Sequence, residues 1–141
     1  MKVLSVGSEQ FQIDDNDFSV DRSNIDGELC KLPSKLIYYG QIEAKFRLAF
    51  ETSKANLEKL EADLGDTIRA QYKGDKRQTE AQVKNEVIRS DQYQIAQKEH
   101  LDIQYQWNTA RWITNALESK KDVLITLSYT DRQISKLDRY N

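Results

Sequence analysis

Apolar positions recur through the first half of this chain in steps of three and four. Leu36, Tyr39, Ile42, Phe46, Phe50, Ser53, Leu57, Leu60, Leu64 and Ile68 follow at that spacing, with Ser53 as the small polar member. Such a stripe marks an amphipathic helix. Glu51, Lys54, Glu58, Lys59, Glu61 and Asp63 supply a charged outer face. Pro33 stands just ahead of the stripe, and proline suits a first helical turn because its missing N–H has no partner there. The pattern therefore predicts a helix over 33–73, a rod of roughly 60 Å at 1.5 Å per residue. Gly40 and Gly65 lie inside it at about 1 kcal/mol each against alanine, which marks them as kinks or close contacts. Gly74 is the expected residue just past the end, with Lys73 beside the negative helix terminus.

Thr79-Glu80-Ala81-Gln82 then reads as a capping box, the threonine bonding the third amide and the glutamine reaching back. It predicts a short helix over 80–89 carrying Val83, Val87 and Ile88. Ser90 or Asp91 can cap a third helix over 91–137, which meets no breaker. That helix has two apolar stripes. One runs through Ile103, Trp107, Ala110, Leu117 and Leu124, the other through Leu101, Tyr105, Trp112, Ala116, Val123 and Leu127. A helix apolar on two sides is buried on two sides. One side can meet the first helix, and the other is most simply covered by another subunit.

Residues 1–32 look different. Asp14-Asp15-Asn16-Asp17 and Asn24-Ile25-Asp26-Gly27 are turn and cap chemistry. Phe11, Ile13, Phe18 and Val20 alternate, as in a short strand or an extended arm. The expected architecture is all-α: an acidic N-terminal arm over 1–32 and a long helical hairpin over 33–141, assembling through helix packing into an oligomer.

Composition narrows the class. The chain has 141 residues, one domain's worth. Hydrophobic residues are 38% and charged residues 31%, which suits long wet helices or a shared interior better than a compact α/β enzyme. One proline and five glycines leave too few turns for a sandwich or barrel. A single cysteine, Cys30, excludes a disulfide framework and a multi-cysteine zinc site. No apolar run reaches the length needed to span a bilayer, and the first residues are too short for a signal peptide. The expectation is a protein of a reducing cytoplasm without a membrane segment.

Charge adds one asymmetry. The net charge is −2. Residues 1–30 carry Lys2 and Arg22 against seven acidic groups, and the remainder is +3. An acidic arm beside a mildly basic body hints at a polyanion partner, although most such imbalances are solvated surface.

Catalytic chemistry finds no foothold. His100 lies in the polar stretch Gln97-Lys98-Glu99-His100 with no second histidine, and reads as an exposed helix residue. Cys30 reads as a small apolar contact. Asp14, Asp15 and Asp17 lack the glycine and distal glutamate of a calcium loop and read as a solvated turn. No glycine-rich phosphate loop, nucleophile elbow or HExxH motif is present. No catalytic residue, metal ligand or cofactor is expected.

The informative segment is Arg69-Ala70-Gln71-Tyr72-Lys73-Gly74-Asp75-Lys76-Arg77, net +3 over nine residues. It stands at the tip of the expected hairpin. Basic side chains there can neutralise phosphates, and Tyr72 offers a ring face to an unstacked base. Lys84 and Arg89 would extend the surface. The alternative is a solvated, lysine-rich turn. Trp107 and Trp112 could stack bases as well, but their spacing favours core or interface.

Several strings taken together resemble a known family. They are Asn24-Ile25-Asp26-Gly27-Glu28-Leu29 leading into Leu32-Pro33, the Leu57-to-Tyr72 helix with Arg69 to Gly74, Gln78-Thr79-Glu80-Ala81-Gln82-Val83-Lys84, Ser90-Asp91-Gln92-Tyr93, and the Tyr105-to-Leu127 helix. This order is similar to that of the UvsY-like recombination mediator proteins of tailed phages, from about residue 24 onward. The resemblance implies a small helical protein that forms a homo-oligomer, typically a ring. It implies binding of single-stranded DNA and help for a RecA-type recombinase in replacing single-strand-binding protein. If the chain is phage-encoded, the compartment is the host cytoplasm. The DNA-contacting positions implied are Arg69, Lys73, Lys76, Arg77 and Lys84, with Tyr72 as a stacker. Acidic Asp66 and Asp75, and the negative net charge, depart from that pattern.

The leading expectation is thus a non-enzymatic recombination mediator binding single-stranded DNA. Trp107, Trp112, Leu117, Leu124 and Leu127 are its expected oligomer interface. The alternative is a phage structural or assembly protein making helical protein–protein contacts only.

Overall fold

The computed structural model describes residues 1–141. Its elements are strands β1 (Lys2–Val6) and β2 (Glu9–Ile13), a 3₁₀ turn (Asp15–Asp17), and helices α1 (Ile25–Gln71), α2 (Glu80–Arg89) and α3 (Asp91–Asp138). The protein is mostly helical but not all-α, because the arm holds an antiparallel β-hairpin. No helix is long and apolar enough to cross a membrane.

The hairpin follows from local chemistry. Val6 pairs with Glu9 across Gly7-Ser8, and Leu4 with Phe11. Gly7 has φ +57° and Ser8 does not enter positive φ, the pattern of a type II′ turn, which suits glycine at its first central position. Leu4 and Ile13 are buried on one face. A Gly-Ser pair between two apolar alternations was the available signal for a hairpin.

Helix α1 begins at Ile25, eight residues before the predicted start, and Pro33 lies inside it. Proline there removes one backbone hydrogen bond. The segment ahead of it is held by other means. Asp26 and Glu28 stand in the first turn, where the helix dipole favours carboxylates. Ile25 and Leu32 are buried. The Asn24 side chain lies against Gly27, where an added Cβ would push it aside. Helix α1 ends at Gln71, so Gly74 is not its C′ residue, and its φ is not positive. Instead Tyr72 folds over Gly74, where an added Cβ would strike the phenol. Helix α2 starts as its sequence dictates: Thr79 accepts from the Gln82 amide at 3.2 Å and Gln82 accepts from the Thr79 amide at 2.9 Å. The Ser90 hydroxyl accepts from the Tyr93 amide at the start of α3.

The chain divides into two compact units, Met1–Phe46 with Asn108–Asn141, and Arg47–Trp107. In the first, Tyr39, Ile42 and Phe46 of α1 and Ala110, Leu117 and Leu124 of α3 are buried together with Leu4 and Ile13. Phe11 meets Phe46 edge-on at 6.1 Å. Leu117 and Leu124 are fully buried within this unit, so they belong to its core and are withdrawn from the expected oligomer interface; Leu127 is half-buried.

Polar groups complete that core. The Lys120 ammonium, its side chain 2% exposed, donates to Glu28 Oε1 at 3.0 Å and to the Asp17 carbonyl at 2.9 Å. Tyr39 donates to Asp17 Oδ2 at 2.7 Å, and Lys35 pairs with Asp17 Oδ1 at 2.8 Å. Asp17 is therefore built into the unit, while Asp14 and Asp15 stay exposed as a solvated turn would have them. Asp14 caps the Asn16 amide, and Asp15 pairs with the N-terminal amine. Burial opposes the Asp17 charge, but the hydrogen bonds from Lys35 and Tyr39 and the nearby Lys120 hold its carboxyl below the usual range. Burial, then the bond to Asp17, pushes the Tyr39 hydroxyl up.

A depressed carboxyl contributes stability above its unfolded pKa of about 3.9, lost as the pH falls through the folded value. Urea midpoints are therefore expected to drop as the pH is lowered past about 4, with a shallower drop in Asp17→Asn. Equal acid limbs in the two proteins would remove Asp17 as the cause.

In the second unit α1 and α3 run antiparallel: Phe50 stacks on Trp107 at 4.8 Å, and Ser53 lies 3.0 Å from His100 Nδ1. Phe50 also stacks on His100 at 5.0 Å. His100 is thus a half-buried packing residue rather than an exposed one, and Trp107, expected at the oligomer interface, is half-buried with one ring face on Phe50. Val83 and Val87 of α2 are buried against this unit, with Gly65 beside Val83. Cys30, expected as an apolar contact, is exposed on α1.

Candidate nucleic-acid interface

The basic segment lies wholly in the second unit. The end of α1 supplies Arg69, residues 72–78 are non-helical, and the first turns of α2 follow. The backbone leaves α1 here because Gly74 and Asp75 are poor helix formers and the Thr79 cap fixes where α2 restarts. Tyr72 is 42% exposed. Lys73, Lys76 and Arg77 are exposed, and this chain gives none of them an ion-pair partner.

Arg69 differs from them. Its guanidinium bridges Asp66 Oδ1 at 3.1 Å and Glu80 Oε2 at 2.7 Å. Hydrogen bonding to Glu80, then that carboxylate's charge, raises its pKa further. The arginine ties the end of α1 to the start of α2, and its charge is already matched. Without it the segment keeps Lys73, Lys76 and Arg77 against Asp75.

Lys84 also sits apart. It lines an open groove of about 440 Å3 between α1 and α2, together with Arg69 and three carboxylates, Glu58, Glu61 and Glu80. Three anions against two cations disfavour a phosphate there. The six predicted contact residues therefore separate into an exposed strip, Tyr72, Lys73, Lys76 and Arg77, and a groove pair, Arg69, ion-paired to Asp66 and Glu80, and Lys84, exposed among the groove's carboxylates. Periodicity cannot show this, because Glu58 and Glu61 of α1 come beside Lys84 of α2 only through the packing of the two helices.

On α3 the second apolar stripe is largely exposed in this chain. In the second unit Leu101 and Tyr105 are exposed, and in the first Trp112 and Val123 are. Trp112, 67% exposed, is the one residue of the expected interface set that lies broadly open. No three histidine, cysteine, aspartate or glutamate side chains come together as a metal-holding group. Comparison of the chain with protein-family models, with curated proteins and with solved structures returned no match.

Proposed function

We propose that this protein is a self-associating, non-enzymatic binder of single-stranded DNA that acts as a recombination mediator for a RecA-type recombinase. The observation that carries the reading is the strip of Lys73, Lys76 and Arg77, free of internal ion pairs and beside an exposed tyrosine. Such cations exchange counterions for phosphates without reading sequence, and an aromatic face accepts any base. Three phosphates per subunit bind weakly. Self-association through the open side of α3, around Trp112, multiplies them into avidity. A strand held this way is loosened from single-strand-binding protein and presented to the recombinase. The resemblance to UvsY-like mediators supports the same reading.

A fluorescent oligothymidine followed by anisotropy across a salt series, with duplex DNA as competitor, tests it. Salt-sensitive binding that prefers the single strand is expected. Replacing Lys73, Lys76 and Arg77 with alanine should flatten the slope of log K against log salt by about 2, at roughly 0.7 per phosphate contact, with helicity retained. No binding at low salt would sink the reading. If the protein still self-associated, the exposed apolar side chains of α3 would then favour the assembly-protein alternative.

A further inference from the structure

We propose that the first unit carries a second phosphate-backbone site, a groove between residues 22–26 and the last turns of α3, where Arg22, Arg132, Lys136 and Arg139 grip a single strand. The inference rests on the reading above for its ligand, but on different residues in a different unit.

The groove measures about 740 Å3. Arg132 and Lys136 are one turn apart on α3, which sets them on one face, and Arg139 follows in the turn just past the helix, its amide donating to the Lys136 carbonyl at 3.3 Å. Arg22 reaches the same groove from the segment before α1. All four side chains are exposed, and the chain pairs none of them with a carboxylate. Of the other lysines of this unit, Lys35, Lys45, Lys120 and Lys121 each hold an acid partner, and the exposed Lys2 and Lys31 do not. Four unpaired cations thus stand together in one concave place. Two carboxylates, Asp26 and Asp131, also line it, so cations outnumber acids by two to one.

The kind of anion follows from the side chains. Three of the four cations are arginines, whose planar forks match phosphate oxygens in pairs. Tyr129, 63% exposed, lines the same groove and presents a ring on which an unstacked base can lie. An acidic peptide would use the arginines but not the ring. Hydroxyl and amide side chains along the wall suit sugar and phosphate contacts. A strand held at both the basic strip and this groove would have one contact set in each unit of every subunit.

The test uses the full chain. Arg132→Ala, Lys136→Ala and Arg139→Ala are combined, and oligothymidine binding is followed across salt beside the Lys73, Lys76 and Arg77 variant. The groove variant should show a slope shallower by about 2, while Arg132→Lys with Arg139→Lys keeps most of it. Acetylation footprinting of the unaltered protein gives a readout that does not depend on a variant folding: Lys136 should be protected by oligothymidine. An unchanged slope or an unprotected Lys136 would overturn the groove and leave the basic strip standing. Loss of self-association with an unchanged slope would overturn it too, in favour of the acidic arm of a second copy as the occupant. Absence of oligothymidine binding by the unaltered protein would overturn both sites.

Discussion

Glu28→Gln is expected to lower the stability of the first unit by about 3 kcal/mol, because it strands the buried Lys120 ammonium. Lys120 is 2% exposed at its side chain and Glu28 17%. Removing one partner of a buried pair typically costs about 3–5 kcal/mol. The lower end applies here, since the Asp17 carbonyl still accepts from the ammonium. The reverse change should be milder. Lys120→Met keeps an unbranched chain of similar length in the core, and Glu28 retains the Asp21 amide at 3.0 Å and partial contact with water. A cost of about 1–2 kcal/mol is expected for that variant. Combining the two should recover most of the loss, because a neutral pair leaves no orphaned charge. Urea unfolding of the three variants measures this. A double variant as unstable as the sum of the singles would show that the two residues are not coupled.

The second large effect is expected at Phe46. Its side chain is fully buried, and truncating a buried phenylalanine to alanine costs about 3–5 kcal/mol through lost transfer energy and the cavity left behind. A second consequence follows from its position. Phe46 is the ring against which Phe11 of β2 packs. An isolated two-stranded hairpin is marginal in water, so β1 and β2 should loosen before the helices. Hydrogen exchange at the β1–β2 amides should accelerate beyond what the global loss explains, and Phe46→Leu should restore part of both. A loss below about 1 kcal/mol would mean that neighbouring side chains close the cavity.

The two effects show why the arm was the least legible part of the chain. Its acidic turn carries cap chemistry that any sequence can use locally. What Asp17 does depends on Lys35, Tyr39 and Lys120, which lie up to 103 residues away. A buried lysine cannot be told from a solvated one by its neighbours in sequence, because both occupy helical positions of the same periodicity. The start of α1 was misplaced for a related reason. Proline is tolerated best in a first turn, so Pro33 looked like a beginning. The burial of Ile25 and Leu32 and the Glu28–Lys120 contact carry the helix eight residues further.

The candidate interface was legible in part. That a basic stretch with a tyrosine lies between two helices follows from residue order and the Thr79 cap. Which of its cations are free does not. Arg69 is matched by Asp66, one turn earlier, and by Glu80, across the connecting segment. The groove holding Arg22 and the end of α3 escaped notice because its parts are more than a hundred residues apart.

By itself the sequence determined the three helices, the inward stripe of α1, the capping box and the two apolar sides of α3. These depend on spacing, propensity and caps, which act over a few residues. Only the tertiary structure decided that one side of α3 is filled by the chain itself and the other, with Trp112, is left open. It also decided that Lys120 is a core residue, and that Lys73, Lys76 and Arg77 stand exposed without an internal ion pair. Those outcomes depend on which distant side chains arrive beside each group, because burial and pairing are properties of the packed chain rather than of any segment in it.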